Sequence, residues 1–186
     1  MCGIAGYVSA GEIPANRATA VERMCRAMVH RGPDDAGVAD LHGATLGMRR
    51  LAIFDPANGH QPMKSSDGRF TLVFNGAIYN FRELRRELES QGHAFRTQCD
   101  TEVLLAAYVE WREQCLSRLR GMFAFAVWDA VEGTLFAARD AFGIKPLYYA
   151  RRPRGGVVYY IRHFSFLLDA AIVLKTIHIM LFGKGR

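Results

Sequence analysis

Hydrophobic and polar positions change their period several times along the chain. Gly3-Ile4-Ala5-Gly6-Tyr7-Val8 is a short apolar run with small residues where another group must approach closely, and it predicts a buried strand. Over 18–29, Val21, Met24 and Met28 recur at helical spacing, and the polar run at 30–35 predicts a turn. Apolar runs at 44–48 and 70–74 predict strands, with turn chemistry between them at Asp55-Pro56-Ala57-Asn58-Gly59. Two helices then carry start signals. Asn80 can cap 81–91, with Glu83 completing a capping box and Gly92 supplying the stop. Phe81, Leu84 and Leu88 share one face of that helix, while Arg85 and Glu89 can pair on another. Asp100 can cap 101–115, whose apolar stripe is Val103, Leu104, Ala107, Tyr108 and Trp111. Strand-like runs follow at 122–128, 135–138 and 147–149.

The predicted strands cluster between helix pairs and do not alternate with helices, so the pattern favours an α+β fold with antiparallel sheets. A length of 186 residues suits one domain with a substantial core. With 50% hydrophobic and 23% charged residues, the composition is that of a globular protein. The start of the chain shows no basic region followed by an apolar one, so a cytoplasmic protein is expected.

The net charge of +6 raises the question of a nucleic-acid partner, and its distribution answers it. Residues 1–150 hold 17 basic and 17 acidic side chains, so the whole excess lies in 151–186. A field directed at phosphate is therefore not expected, nor is a nucleic-acid partner. No phosphate-binding loop of the GxxxxGK[ST] type is present. Cys2, Cys25, Cys99 and Cys115 form no CxxC pair, and no histidines stand at zinc spacing, so neither a metal nor a cofactor is expected.

Cys2 requires separate treatment. Removal of Met1 would leave it with a free α-amine. A thiol with a reference pKa of roughly 8.5 and an amine of roughly 7.7–8 on one residue form a nucleophile with a built-in base. Alone, the position is better explained by an ordinary N-terminal cysteine.

The surrounding motifs change that balance. Met1-Cys2-Gly3-Ile4-Ala5-Gly6 is followed by His30-Arg31-Gly32-Pro33-Asp34, Arg49-Arg50-Leu51-Ala52-Ile53 and Gly59-His60-Gln61-Pro62-Met63. Then come Phe74-Asn75-Gly76-Ala77-Ile78-Tyr79-Asn80, Asp100-Thr101-Glu102-Val103 and Gly121-Met122-Phe123-Ala124-Phe125. The series closes on Arg139-Asp140-Ala141-Phe142-Gly143-Ile144-Lys145-Pro146-Leu147-Tyr148-Tyr149. In this order and spacing, residues 1–150 closely resemble the class II glutamine amidotransferase domain, nearest to the N-terminal half of glutamine-hydrolysing asparagine synthetases.

The resemblance implies a four-layer αββα sandwich with two antiparallel sheets, of the N-terminal-nucleophile (Ntn) hydrolase type. It implies an enzyme that hydrolyses L-glutamine to glutamate and ammonia through a thioester on Cys2, with the α-amine as acid and base. Asn75 and the Gly76 N–H would form the oxyanion hole. Arg50 would clamp the substrate carboxylate, Leu51 and Ile53 would line the site, and Asp100 would hold the substrate amine. Each residue also has a plainer reading. Arg50 suits a strand surface, Asn75-Gly76 a hairpin turn and Asp100 a helix cap. His60 and Lys145 read as structural.

Two departures qualify the match. Ala77 stands where the family usually carries Glu, the second acid for the substrate ammonium, and Met48 replaces a common His. From about Val158 the family pattern ends. We therefore expect an amidotransferase domain over 1–157 and a divergent basic and apolar tail over 158–186. No Ser-Gly-Gly-Leu-Asp pyrophosphate loop occurs, so the synthetase domain or subunit that would receive the ammonia is expected elsewhere. The apolar stretch 164–182 contains Asp169 and Lys175, which argues against a membrane span, while the abrupt loss of resemblance and the switch in charge suggest a truncated or frame-shifted end. Two alternatives stay open: a catalytically impaired remnant or glutamine-binding module, and a membrane-associated interaction protein built on 164–182.

Overall fold

The computed structural model describes residues 2–9, 16–52, 55, 57–151 and 157–160. Strand β1 (Gly3–Val8) leads into helix α1 (Arg17–Ala27), and strands β2 (Asp35–Leu41) and β3 (Ala44–Arg50) form a hairpin. After β4 (Met63–Lys64) and β5 (Phe70–Ile78) come helices α2 (Phe81–Ser90) and α3 (Asp100–Trp111). A 3-10 turn at Arg112–Ser117 leads to β6 (Gly121–Asp129), β7 (Thr134–Arg139), β8 (Tyr148–Arg151) and β9 (Val157–Tyr160). All recorded strand pairs are antiparallel. One sheet runs β2-β3-β1-β9-β8, the other β4-β5-β6-β7.

Three apolar interfaces separate four layers. Val21 and Cys25 of α1 and Met28 just after it pack on Ala5 and Tyr7, on the outer face of the first sheet. The inner faces meet through Ile4, Ala44, Leu46 and Met48 on one side and Val73, Ala124, Ala126 and Trp128 on the other. Phe70, Leu72, Phe74, Phe125 and Val127 turn the opposite way, against Leu84, Leu88, Val103, Leu104 and Tyr108 of α2 and α3. The two-residue alternation along β3, β5 and β6 sorts side chains into these layers. This is an α+β αββα sandwich with two antiparallel sheets.

Several local expectations are corrected. Asn75-Gly76 is no hairpin turn, because both residues lie inside β5 and pair with Ala124 and Phe123 of β6. Asn80 precedes α2, but its side chain does not cap that helix. Its Nδ2 instead donates to the Arg118 carbonyl at 2.9 Å, and its Oδ1 accepts the Arg120 N–H at 2.9 Å. Helix α3 stops at Trp111 because Arg112 takes φ +52°, and the rest of the predicted helix becomes the 3-10 turn. The Arg112 guanidinium then lies 4.2 Å from the centroid of the Phe70 ring.

The Arg85–Glu89 pair forms at 2.9 Å. Strand β2 was not predicted. Its inner positions are only half-buried and its sequence is rich in Gly, Ala and Asp, so it carries little strand signal. The boundary expected at 157/158 falls inside β9, which pairs with β1 and β8. The apolar stretch 164–182 lies outside the described residues, among which no helix is long and apolar enough to cross a membrane.

Candidate active site

The site forms where β1 begins and β3 ends. Gly3 pairs with Arg49, so Cys2 and Leu51 extend past the same end of the sheet. The Leu51 N–H donates to Cys2 Sγ at 3.4 Å, and the sulfur lies 3.7 Å from the Leu51 carbonyl oxygen. Burial pushes the Cys2 thiol up, while the Leu51 amide, the amino-terminal charge and Arg50 pull it down and Asp100 raises it; the net shift is upward. The other three cysteines are buried. Burial pushes Cys25 up to about 11 and Cys115 to about 12, which leaves them poor nucleophiles.

The turn at 30–34 braces this corner. Arg31 Nε donates to the Cys2 carbonyl at 3.2 Å, and Arg49 Nε to the Gly32 carbonyl at 2.8 Å. The Asp34 N–H reaches the Arg50 carbonyl at 3.1 Å, and Asp34 Oδ2 accepts the Ala52 N–H at 2.8 Å. Arg31 Nη2 is buried without a partner.

Arg50 is buried at the end of β3, and its Nη2 donates to the Asp55 carbonyl at 2.8 Å. The same carbonyl accepts the N–H groups of Asn58 and Gly59 at 3.3 and 3.0 Å. A Cβ at Gly59 would collide with the guanidinium, so glycine makes room for it there. The plain reading of Arg50 as an exposed strand residue is therefore corrected.

Strand β5 supplies the opposite wall. Its even-numbered residues direct their backbone groups toward β4, but β4 pairs only with Leu72 and Thr71. Beyond it, side chains take over the ladder. The Phe74 N–H donates to Gln61 Oε1 at 2.7 Å, and the Ile78 N–H to Asp100 Oδ2 at 3.0 Å. Between these two, the Gly76 N–H faces the pocket. A Cβ at Gly76 would strike the Met122 carbonyl of β6, so no other residue fits this tightly paired position.

Asn75 is 1% exposed, and its Nδ2 has no hydrogen-bond partner. A buried amide left unpaired costs roughly 1–3 kcal/mol, which native folds rarely tolerate without a use. Asp100 opens α3, with Cys99 rather than Asp100 at the cap position. Burial raises the Asp100 carboxyl above its usual range, and it is opposed by the amides of Ile78, Asp100 and Thr101 and by Arg50.

One pocket of about 120 Å³ brings together Cys2, Arg50, Leu51, Asn75, Gly76 and Asp100. These are all the expected site residues except Ile53, which lies outside the described residues. Ala77 lines the same pocket. Three further polar residues join them that the sequence reading did not assign to the site. Gln61, whose Nε2 donates to Thr101 Oγ1 at 3.3 Å, links β5 to α3. The third is Lys145, held by a loop that Asp140 gathers. Their motifs were visible in the chain, but the contacts that give those motifs a purpose are tertiary. His60 is exposed, 2.8 Å from Asp35, and outside this pocket. Among the described residues, no cluster of three His, Cys, Asp or Glu side chains could hold a metal ion.

A nucleophile, paired donors and opposed charges in one small pocket can bind and cleave an amide. A family model described as a glutamine amidotransferase domain matches residues 1–176. The chain belongs to this family. Among curated relatives, this amidotransferase domain is 43% identical over 153 residues to "Asparagine synthetase [glutamine-hydrolyzing] 3" of Bacillus subtilis, covering 81% of this chain and 25% of that protein. It is 46% identical over 151 residues to the same organism's "Asparagine synthetase [glutamine-hydrolyzing] 1", covering 80% and 24%. A "Putative asparagine synthetase [glutamine-hydrolyzing]" of Mycobacterium tuberculosis is 45% identical over 173 residues, with 85% and 26% covered. The chain thus spans about a quarter of the length of these relatives.

Among solved structures, glutamine phosphoribosylpyrophosphate amidotransferase from B. subtilis superposes with a TM-score of 0.68 at 23% identity, covering 86% of this chain and 41% of that one. At that identity the likeness concerns the fold. The fold is that of the Ntn-type amidotransferases, and the chain is a class II glutamine amidotransferase domain.

Proposed function

We propose that the chain hydrolyses L-glutamine to glutamate and ammonia through a thioester on Cys2. The observation that carries this reading is the buried, unpartnered Asn75 amide sharing a pocket with Cys2. With Met1 removed, the Cys2 α-amine takes the thiol proton, and the sulfur attacks the carbon of the glutamine side-chain amide. The oxyanion that develops is held by Asn75 Nδ2 and the Gly76 N–H, two donors that need no reorganisation. Collapse of this intermediate passes the proton to the departing ammonia and leaves the glutamyl thioester. Water, deprotonated by the same amine, then releases glutamate.

Arg50 suits the substrate carboxylate, and Asp100 suits the ammonium, because each is a charged group at the pocket wall. Leu51 lines the site beside Arg50, and the lining role expected of Ile53 belongs to the same reading, outside the described residues. The Leu51 amide and Arg31 keep Cys2 in place. We place the amidotransferase domain over 1–157 and the divergent tail over 158–186, although β9 carries Val158, Tyr159 and Tyr160 into the first sheet. A synthetase domain or subunit that receives the ammonia belongs to the same reading, because the matched region is only about a quarter of the relatives' length, and we propose a cytoplasmic location with it.

The test is release of ammonia and glutamate from glutamine by the full chain. Cys2→Ala should abolish it while leaving the thermal transition in place; persistence of turnover in that variant would disprove the reading. Ala77 favours a second reading, a glutamine-binding module with impaired catalysis, because the pocket lacks an acidic group at that wall. Binding of glutamine without any ammonia release by the parent chain would select it.

A further inference from the structure

Lys145 takes no part in the reaction outlined above, yet it lines the same pocket as Cys2 and Asn75 and is 5% exposed. A buried ammonium is costly to desolvate, so its position calls for a physical reason.

The backbone fixes where it sits. Asp140, just after β7, accepts the N–H groups of Ile144 and Lys145, both at 2.9 Å, and that of Phe123 at 3.1 Å. Phe123 stands opposite Gly76 in the β5–β6 register. One carboxylate therefore ties the backbone of the lysine to the strand pair that carries the oxyanion donors. Burial pushes Asp140 up, but these amides outweigh it and hold the carboxyl below its usual range, so it stays an anionic clamp.

The charges around Cys2 come from four elements. Arg31 of the turn after α1, Arg50 of β3 and Lys145 of the loop after β7 are cationic, and Asp100 of α3 opposes them. The amino terminus adds a further positive charge. Lys145 itself is lowered by burial and by Arg31, and raised by Cys2 and Asp140. Since electrostatic coupling is reciprocal, a lysine whose charge is favoured by the Cys2 thiolate favours that thiolate in turn. Arg31 Nε donates to the Cys2 carbonyl at 3.2 Å, which sets a second cationic side chain against the same residue.

We propose that Lys145 is a positioning residue for Cys2, an ammonium delivered into the pocket by the Asp140-clamped loop to stabilise the sulfur in its thiolate form. This rests on Cys2 being the nucleophile. The lysine supplies charge and accepts no proton from the substrate, so its effect is read on the sulfur before any glutamine binds.

The experiment is the pH dependence of Cys2 alkylation by iodoacetamide in the full chain, followed by mass spectrometry of the N-terminal peptide. Lys145→Met should move the midpoint upward by about one pH unit, an approximately tenfold slower reaction near neutral pH. Lys145→Arg, which keeps the charge, should stay near the parent curve. In glutamine turnover the methionine variant should lose kcat about tenfold, with KM held within about twofold.

A methionine variant whose alkylation curve superposes on the parent's would overturn the proposal. So would an arginine variant shifted as far as the methionine one. Should Lys145→Met give no cooperative melt, Lys145→Gln takes its place: an upward midpoint shift supports the role and a curve superposed on the parent's refutes it. Alkylation needs no glutamine, so a chain that releases no ammonia but titrates as stated would refute the glutaminase reading and leave this one standing.

Discussion

The two faces of β5 make opposite uses of the same nine residues. Toward α2 and α3 it presents Phe70, Leu72, Phe74 and Ile78, all nearly inaccessible and packed on Leu84, Leu104 and Tyr108. Toward the first sheet it presents Thr71, Val73, Asn75 and Ala77, a small and partly polar set that ends in the pocket. The aromatic face buries the apolar area that drives folding. The other face gives up part of that gain and keeps an amide without a partner. Stability and chemistry are thus separated by a single step of the strand's alternation, and substitutions on the two faces should have different signatures.

The largest effect should fall on the aromatic side. Phe125 of β6, fully buried and packed on the same cluster, should cost about 3–5 kcal/mol of unfolding free energy when changed to alanine. Denaturant melts would show it, and KM for glutamine in the folded fraction should stay unchanged. A shift in KM comparable to the stability loss would mean that the two faces are not separable.

Next comes Asn75→Ala. Loss of an oxyanion donor should reduce kcat by about 10²- to 10³-fold. Its melting temperature should hold or rise, because the variant removes a buried amide that has no partner. A variant that loses activity only in proportion to stability would assign Asn75 to the fold instead.

Ala77→Glu sharpens the comparison from the other side by adding the acid that the family usually carries. It should lower KM for glutamine by about 10- to 100-fold, the value of one charge-assisted bond of roughly 1.5–3 kcal/mol. An unchanged or raised KM would remove Ala77 from the substrate wall.

The smallest effect lies at the far end of β6. Arg69 holds the Asp129 carboxyl below its usual range at 2.7 Å, helped by the Glu132 and Val131 amides and opposed by burial. A depressed carboxyl stabilises the fold fully above its unfolded value and loses that contribution as pH falls through the folded one. The stability gap between the parent and Arg69→Met should therefore be complete above about pH 5 and close below about pH 4. A gap that widens toward acid would contradict the pairing, and activity near neutral pH should not register the change.

The pattern of the chain exposed the layers more readily than the site. Near-continuous apolar runs at 70–74 and 122–128 and the helical stripe from Val103 to Trp111 mark surfaces that bury apolar area, and burial leaves that mark on composition and spacing. Strand β2 escaped because an edge strand with half-buried faces imposes almost none. Asn75-Gly76 carried a local turn signal that pairing with β6 overrode. The motifs did point to Cys2, Arg50 and Asp100. Gln61 and Lys145 were legible only as letters within motifs, because their purpose depends on partners 13 and 5 positions away, Phe74 and Asp140. Asn80 shows the reverse case. Its sequence context offered a helix cap, and a segment near Arg118 and Arg120 competed for it and won.

The shortness of β4 has one more consequence. A strand edge whose amides go unclaimed is ordinarily a hazard, since any extended chain can dock there. Here the edge is closed above and below by the side chains of Gln61 and Asp100, leaving a gap one residue wide at Gly76. A primary carboxamide is the polar fragment of a peptide bond. A glutamine side chain would fill that gap as a missing strand would, with its carbonyl in the place of a backbone acceptor. On the proposed reading such a gap would admit a single amide group and exclude a polypeptide, and substrate selection and protection against strand pairing would then be one property of the sheet.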